Sequence, residues 1–157
     1  MSYNYPVNNF YQLAVNNARS VPNTVAIYEE ELKITHREFL AKIDQVAGFL
    51  NTLGIRVGDK VGLIMSNCWQ YAVNYFALSR LGAVAVPINN FLKHDELAYI
   101  LNDAQAKLLF ASAKYAPEVR DLLTATEIEK IIWVDGAPLT NERNLDYNQI
   151  YQKDYPH

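Results

Sequence analysis

Apolar positions along the chain alternate between helical spacing and short continuous runs, and the changes of spacing predict the elements. Phe10, Leu13, Ala14 and Ala18 fall on one helical face, with Asn8 or Asn9 placed to cap it and Pro22 just beyond its end. Val25 to Tyr28 and Leu32 to Ile34 flank Glu29-Glu30-Glu31, which predicts a hairpin with a charged, solvated tip. Thr35 followed three residues later by Glu38 makes a capping box, because the hydroxyl accepts from one backbone amide while the carboxylate reaches back to another. A helix starts there. Phe39, Leu40, Ile43, Val46, Ala47, Leu50 and Leu53 keep spacings of three and four, until Gly54 supplies a left-handed stop.

From residue 60 onward the pattern is that of strand and helix in turn. Lys60 to Ser66 is a strand apolar on both faces, and Ser66 or Asn67 stands where a cap for the next helix is expected. That helix, Trp69 to Leu81, is apolar on most sides. Next come the strand Ala83 to Ile88, the helix Asp95 to Asp103, the strand Lys107 to Ala111, a helix Pro117 to Leu123 and the strand Lys130 to Val134. Such alternation predicts an α/β fold, an open, doubly wound, mostly parallel sheet with helices on both faces, preceded by the N-terminal helix and hairpin. Residues 135–157 turn polar and show no period. They read as surface coil, held by Tyr147, Tyr151 and Tyr155.

Composition narrows the function classes. A chain of 157 residues with half its side chains apolar builds a core without staples, since a domain of this size buries about 70% of its unfolded surface. The net charge of −3 offers no basic footprint for nucleic acid. Cys68 is the single cysteine, so no intrachain disulfide forms, which suits the cytoplasm, and its neighbours Trp69 and Tyr71 make it a small packed hydrophobe. Met1 to Pro6 lacks the pattern of a secretory signal, and no apolar run approaches the ~20 residues of a membrane span.

Candidate chemistry is sparse. Gly54, Gly58 and Gly62 lack the lysine of a P-loop and the spacing of a dinucleotide fingerprint; they read as a helix stop, a turn and a close approach in a strand. His36, His94 and His157 lie far apart without metal-site spacing, and His36 and His94, near helix starts, read as surface residues. Ser66 ends a strand, as a hydrolase nucleophile does, but no glycines flank it. Neither a catalytic residue nor a metal ligand is singled out.

Several segments in order carry a resemblance. Ile34-Thr35-His36-Arg37-Glu38-Phe39 resembles the first core motif of the adenylate-forming, AMP-binding enzymes, and Gly54 to Asn89, ending Val86-Pro87-Ile88-Asn89, resembles the stretch through the second. Leu97-Ala98-Tyr99-Ile100-Leu101-Asn102-Asp103 and Ala106-Lys107-Leu108-Leu109-Phe110 continue as fatty acyl-CoA synthetases do. The resemblance implies the N-terminal subdomain of the acyl-CoA synthetase fold over 1–134, with 135–157 leading toward a catalytic part that this sequence does not contain.

The same resemblance implies a parent ligase that joins a fatty acid to coenzyme A through an acyl-adenylate, using ATP and Mg2+. It also implies that this piece alone is inactive, holds no cofactor, needs the missing C-terminal part of the same protein as its partner, and self-associates. The loop Asn89 to Lys93 lies near the coenzyme A entrance in some members, which makes Lys93 the candidate contact for a phosphate. Two other readings stay open: a non-catalytic interaction or dimerisation module of the same fold, and a nucleotide-binding domain acting alone.

Overall fold

The computed structural model describes residues 9–155. Its centre is a five-stranded sheet of β3 (Lys60–Ile64), β4 (Val84–Pro87), β5 (Ala106–Ala111), β6 (Lys130–Trp133) and β7 (Asn144–Asp146), ordered β4-β3-β5-β6-β7 and parallel throughout. A separate antiparallel hairpin, β1 (Val25–Glu29) and β2 (Leu32–Thr35), precedes it. Helices α1 (Phe10–Ser20), α2 (His36–Thr52) and α3 (Trp69–Leu81) pack on one face of the large sheet. On the other lie α4 (His94–Asp103) and the short α5 (Ala116–Val119) and α6 (Leu122–Ala125).

Strand alternation splits the core in two. Val61, Leu63, Leu108, Phe110 and Ile132 point to the α2 and α3 side, while Ile64, Leu109, Ala111, Ile131 and Trp133 point to the α4 side. Gly62 is what lets α4 sit close. A Cβ there would come within 2.8 Å of both Leu101 Cδ2 and Leu109 Cδ1. The capping box forms as expected, with the Thr35 side chain accepting from Glu38 N–H and the Glu38 carboxylate accepting from Thr35 N–H at 2.8 Å. Gly54, at φ +85°, follows the end of α2.

Several sequence expectations are corrected. Neither Ser66 nor Asn67 caps α3; Cys68 is the N-cap residue, makes no side-chain cap, and the carboxylate of Glu29 at the hairpin end accepts from Trp69 N–H instead. The glutamate cluster is therefore not wholly solvated. Gly82 ends α3 in the left-handed conformation, and the strand expected over Ala83 to Ile88 is the shorter Val84–Pro87. The helix expected over Pro117 to Leu123 is two short helices after a 3-10 turn at Ala113–Tyr115. The hydroxyls of Thr124 and Thr126 bond back to the carbonyls of Asp121 and Leu122, competing with helix continuation.

Residues 135–155 are not simply coil, because β7 extends the sheet and a 3-10 helix, Tyr147–Gln152, follows it. Tyrosines do hold this segment, with Tyr147 fully buried and Tyr155 lying over Gly48, where a Cβ would collide with it. On α1 the inward residue is Ala14, whereas Phe10 and Leu13 stay exposed. Asn9 caps that helix by accepting from Gln12 N–H at 2.9 Å; the alternative cap Asn8, the segment Met1 to Pro6 and His157 lie outside the described residues. His36 and His94 are half-buried at their helix starts rather than fully on the surface.

Candidate functional site

Parallel strands point their carboxyl ends the same way, and the connection leaving β3 moves to β4 on one side while the next element returns to β5 on the other. A crevice opens at such a reversal, outside the carboxyl ends of the strands. Here its base is stitched by hydrogen bonds: Ser112 N–H donates to Ile64 O at 3.0 Å and Ser66 N–H donates to Ser112 Oγ at 3.1 Å. Ser112 is buried and Ser66 takes this bond through its backbone, which gives it the part of a linker rather than a strained nucleophile.

The resulting cleft has a volume of about 780 Å³. Met65 and Asn67 follow β3, Ile88 to Phe91 follow β4, and Lys114 and Tyr115 follow β5; Tyr71 from α3 and Glu118 from α5 close the sides. Asn90 is tied to the floor, its Nδ2 donating to Met65 O at 3.0 Å. Phe91, 88% exposed, stands at the lip.

Lys93 lies on the rim of this cleft, just before α4, with its side chain 75% exposed. Its ammonium donates to Glu118 at 2.8 Å, a hydrogen bond that raises the lysine pKa and lowers that of the carboxyl. His94 Nδ1 lies 3.0 Å from Glu118 O. Lys114 contributes a second ammonium, 4.9 Å from the ring centroid of Tyr115. A cleft with two ammonium groups, three aromatic side chains and several carboxamides suits an anionic ligand bearing a flat group. Lys114, Tyr71 and Tyr115 were not singled out from the sequence; their only signal is that each lies within a few residues of a strand's end or a helix's start.

Away from the cleft a second cluster joins α2, α3 and the 3-10 helix. Lys42 lies over Trp69 at 4.5 Å and over Tyr151 at 4.9 Å, and burial lowers its pKa. Tyr147 is packed edge-on against Phe110 and Tyr151, and its hydroxyl donates to Asn74 Oδ1 at 2.9 Å. Cys68 is half-buried, and burial pushes its thiol pKa up, away from reactivity. Among the described residues, no group of three or more His, Cys, Asp or Glu side chains could hold a metal. No helix of the described residues is long and apolar enough to cross a membrane.

Comparisons with known proteins give this geometry a context. A family model described as AMP-binding enzyme matches residues 15–156. A crotonobetaine/carnitine–CoA ligase of Escherichia coli is 37% identical over 120 residues, which is 75% of this chain and 23% of that protein. The solved anthranilate CoA ligase AuaEII, in complex with anthranoyl-AMP, superposes with a TM-score of 0.85 at 28% identity, covering 92% of this chain and 28% of that one. A Mycobacterium tuberculosis fatty acyl CoA synthetase gives a TM-score of 0.77 at 28% identity, covering 80% of this chain and 26% of its own. The chain thus spans about a quarter of the length of the relatives it matches.

Proposed function

Because the chain belongs to the AMP-binding enzyme family, we propose that it is the N-terminal portion of an ATP-dependent acyl-CoA synthetase. In the whole protein a carboxylate attacks the α-phosphorus of ATP, releasing pyrophosphate and leaving an acyl-adenylate. The thiol of coenzyme A then takes the acyl group and AMP departs. The observation that carries this reading is the family match over residues 15–156, laid on a parallel sheet that solved CoA ligases share.

A fatty acid is the acyl substrate we favour, supported by the likeness to the fatty acyl CoA synthetase. The names of other relatives cover a betaine and an aromatic acid, so the acid's class and chain length are what the test below varies. Mg2+ does not fit the residues present: no metal-holding cluster exists among those described, and no step through the metal is assigned to this chain. Coenzyme A fits better. Lys93, released from Glu118, and Lys114 would meet phosphate oxygens at the cleft rim, as point charges on flexible stems. The rest of the chain serves as scaffold, and we place the protein in the cytoplasm.

The test is ATP–pyrophosphate exchange with saturated fatty acids of several lengths, a betaine and an aromatic acid. The purified 157-residue chain is expected to give no exchange, whereas a protein that also carries the family's later segments gives exchange with at least one acid. Robust exchange by this chain alone would overturn the assignment of chemistry to another part of the protein. No exchange by the longer protein with any carboxylic acid would instead favour a non-catalytic module of the same fold.

A further inference from the structure

Asn74 is polar where its buried neighbours on α3, Val73, Ala77 and Leu78, are apolar. A carboxamide in such a place is costly unless both its ends find partners. They do, and the chemistry of the partners fixes its orientation. The Met65 thioether can only accept, so the amide nitrogen faces it, with Nδ2 3.5 Å from Sδ. The amide oxygen is then left for the Tyr147 hydroxyl, which donates at 2.9 Å.

These two partners belong to different regions. Tyr147 opens the C-terminal 3-10 helix, whose segment is further held by Tyr151 against Trp69 and by Tyr155 over Gly48. Met65 is the floor of the cleft, and its carbonyl holds Asn90 at 3.0 Å; beside it Asn89 Oδ1 accepts from Phe91 N–H at 3.0 Å. Hydrogen bonds joined through Asn74 and Met65 therefore run from the C-terminal segment to Asn90, and the chain itself carries the link on to Asn89 and Phe91.

We propose that Asn74 is a positioning residue that couples the C-terminal segment 144–155 to the cleft loop 89–91, so that loosening the segment loosens the loop. Any ligand that orders the loop tightens the segment by the same free energy, because such coupling is reciprocal. The inference rests on this fold alone, so its failure leaves the ligase reading standing, and the reverse holds too.

Amide hydrogen exchange followed by NMR on the full chain tests it. Tyr147→Phe keeps the buried ring and removes only the hydroxyl. We expect the Asn90 side-chain amide and the Phe91 backbone amide to exchange about fivefold faster, while the hydrogen-bonded turn amides of Gly54 and Asp59, which also open locally, stay within about twofold; the core amides of α2 and β5 report only the change in global stability. Asn74→Leu should produce the same change, and adding Tyr147→Phe to it should produce no more. If Asn74→Leu does not fold, Met65→Leu replaces it, since it removes the sulfur acceptor and keeps the volume. The proposal is overturned if the loop amides do not respond, if every amide accelerates by one common factor, or if the double variant multiplies the two single effects.

Discussion

Two tyrosines four residues apart show how much a single hydroxyl depends on its partner. Tyr147 donates to Asn74, whereas the hydroxyl of Tyr151 is buried with no hydrogen-bond partner among the described residues. Removing a satisfied buried hydroxyl costs about 1–2 kcal/mol, while removing an unsatisfied one is close to neutral. Tyr147→Phe should therefore lower the denaturation midpoint and Tyr151→Phe should leave it unchanged or raise it, in parallel urea titrations. Burial pushes Tyr151 up to about 12 and Tyr147 well above its ordinary range. An unfolded tyrosine loses its proton near pH 10, so between about pH 10 and 12 the folded state holds protons that the unfolded state has released. Stability present below pH 10 is then lost as pH rises. Melting temperatures taken from pH 8 to 12 should fall less steeply in the Tyr147→Phe, Tyr151→Phe double variant than in the parent; equal slopes would show that neither hydroxyl governs alkaline unfolding.

At the scale of elements, distance along the chain separates what was legible from what was not. The α2 capping box was readable because Thr35 and Glu38 are three residues apart. The cap of α3 was not, because its acceptor comes from Glu29, 40 residues upstream. Glu29→Ala should cost about 1 kcal/mol and accelerate exchange of the Trp69 amide, with Glu29→Gln losing less; an unaltered Trp69 amide in Glu29→Ala would show that the carboxylate does not cap the helix. Strand β7 escaped for a related reason. Asn144-Leu145-Asp146 carries no apolar alternation, and its place is set by pairing with β6 and by the Trp133 indole donating to Asn144 Oδ1 at 3.0 Å. Lys93 was reached through a family likeness, but Lys114 and Tyr71 join it only once the parallel topology gathers three strand ends.

Taken whole, the molecule shows its apolar interior settled in two clusters and some large side chains left outside: Val57, Phe91 and Tyr99 are all more than two-thirds exposed, at 81%, 88% and 71%. Side chains scattered in this way do not by themselves make a docking patch, so the association expected of the chain is a weak one. Sedimentation of the isolated chain should give a weight-average mass that rises with concentration, and a constant monomer mass would contradict this. What such association cannot easily become is an endless one. The bonds from Val84 N–H to Asp59 O and from Ile88 N–H to Leu63 O turn the even-numbered amides of β4 toward β3. The outer rail of that edge strand then offers the amide of Ala85 and, two residues on, Pro87, which has none. A fibre grows by templating strand upon strand at both of its ends, and at this end the template is missing a rung.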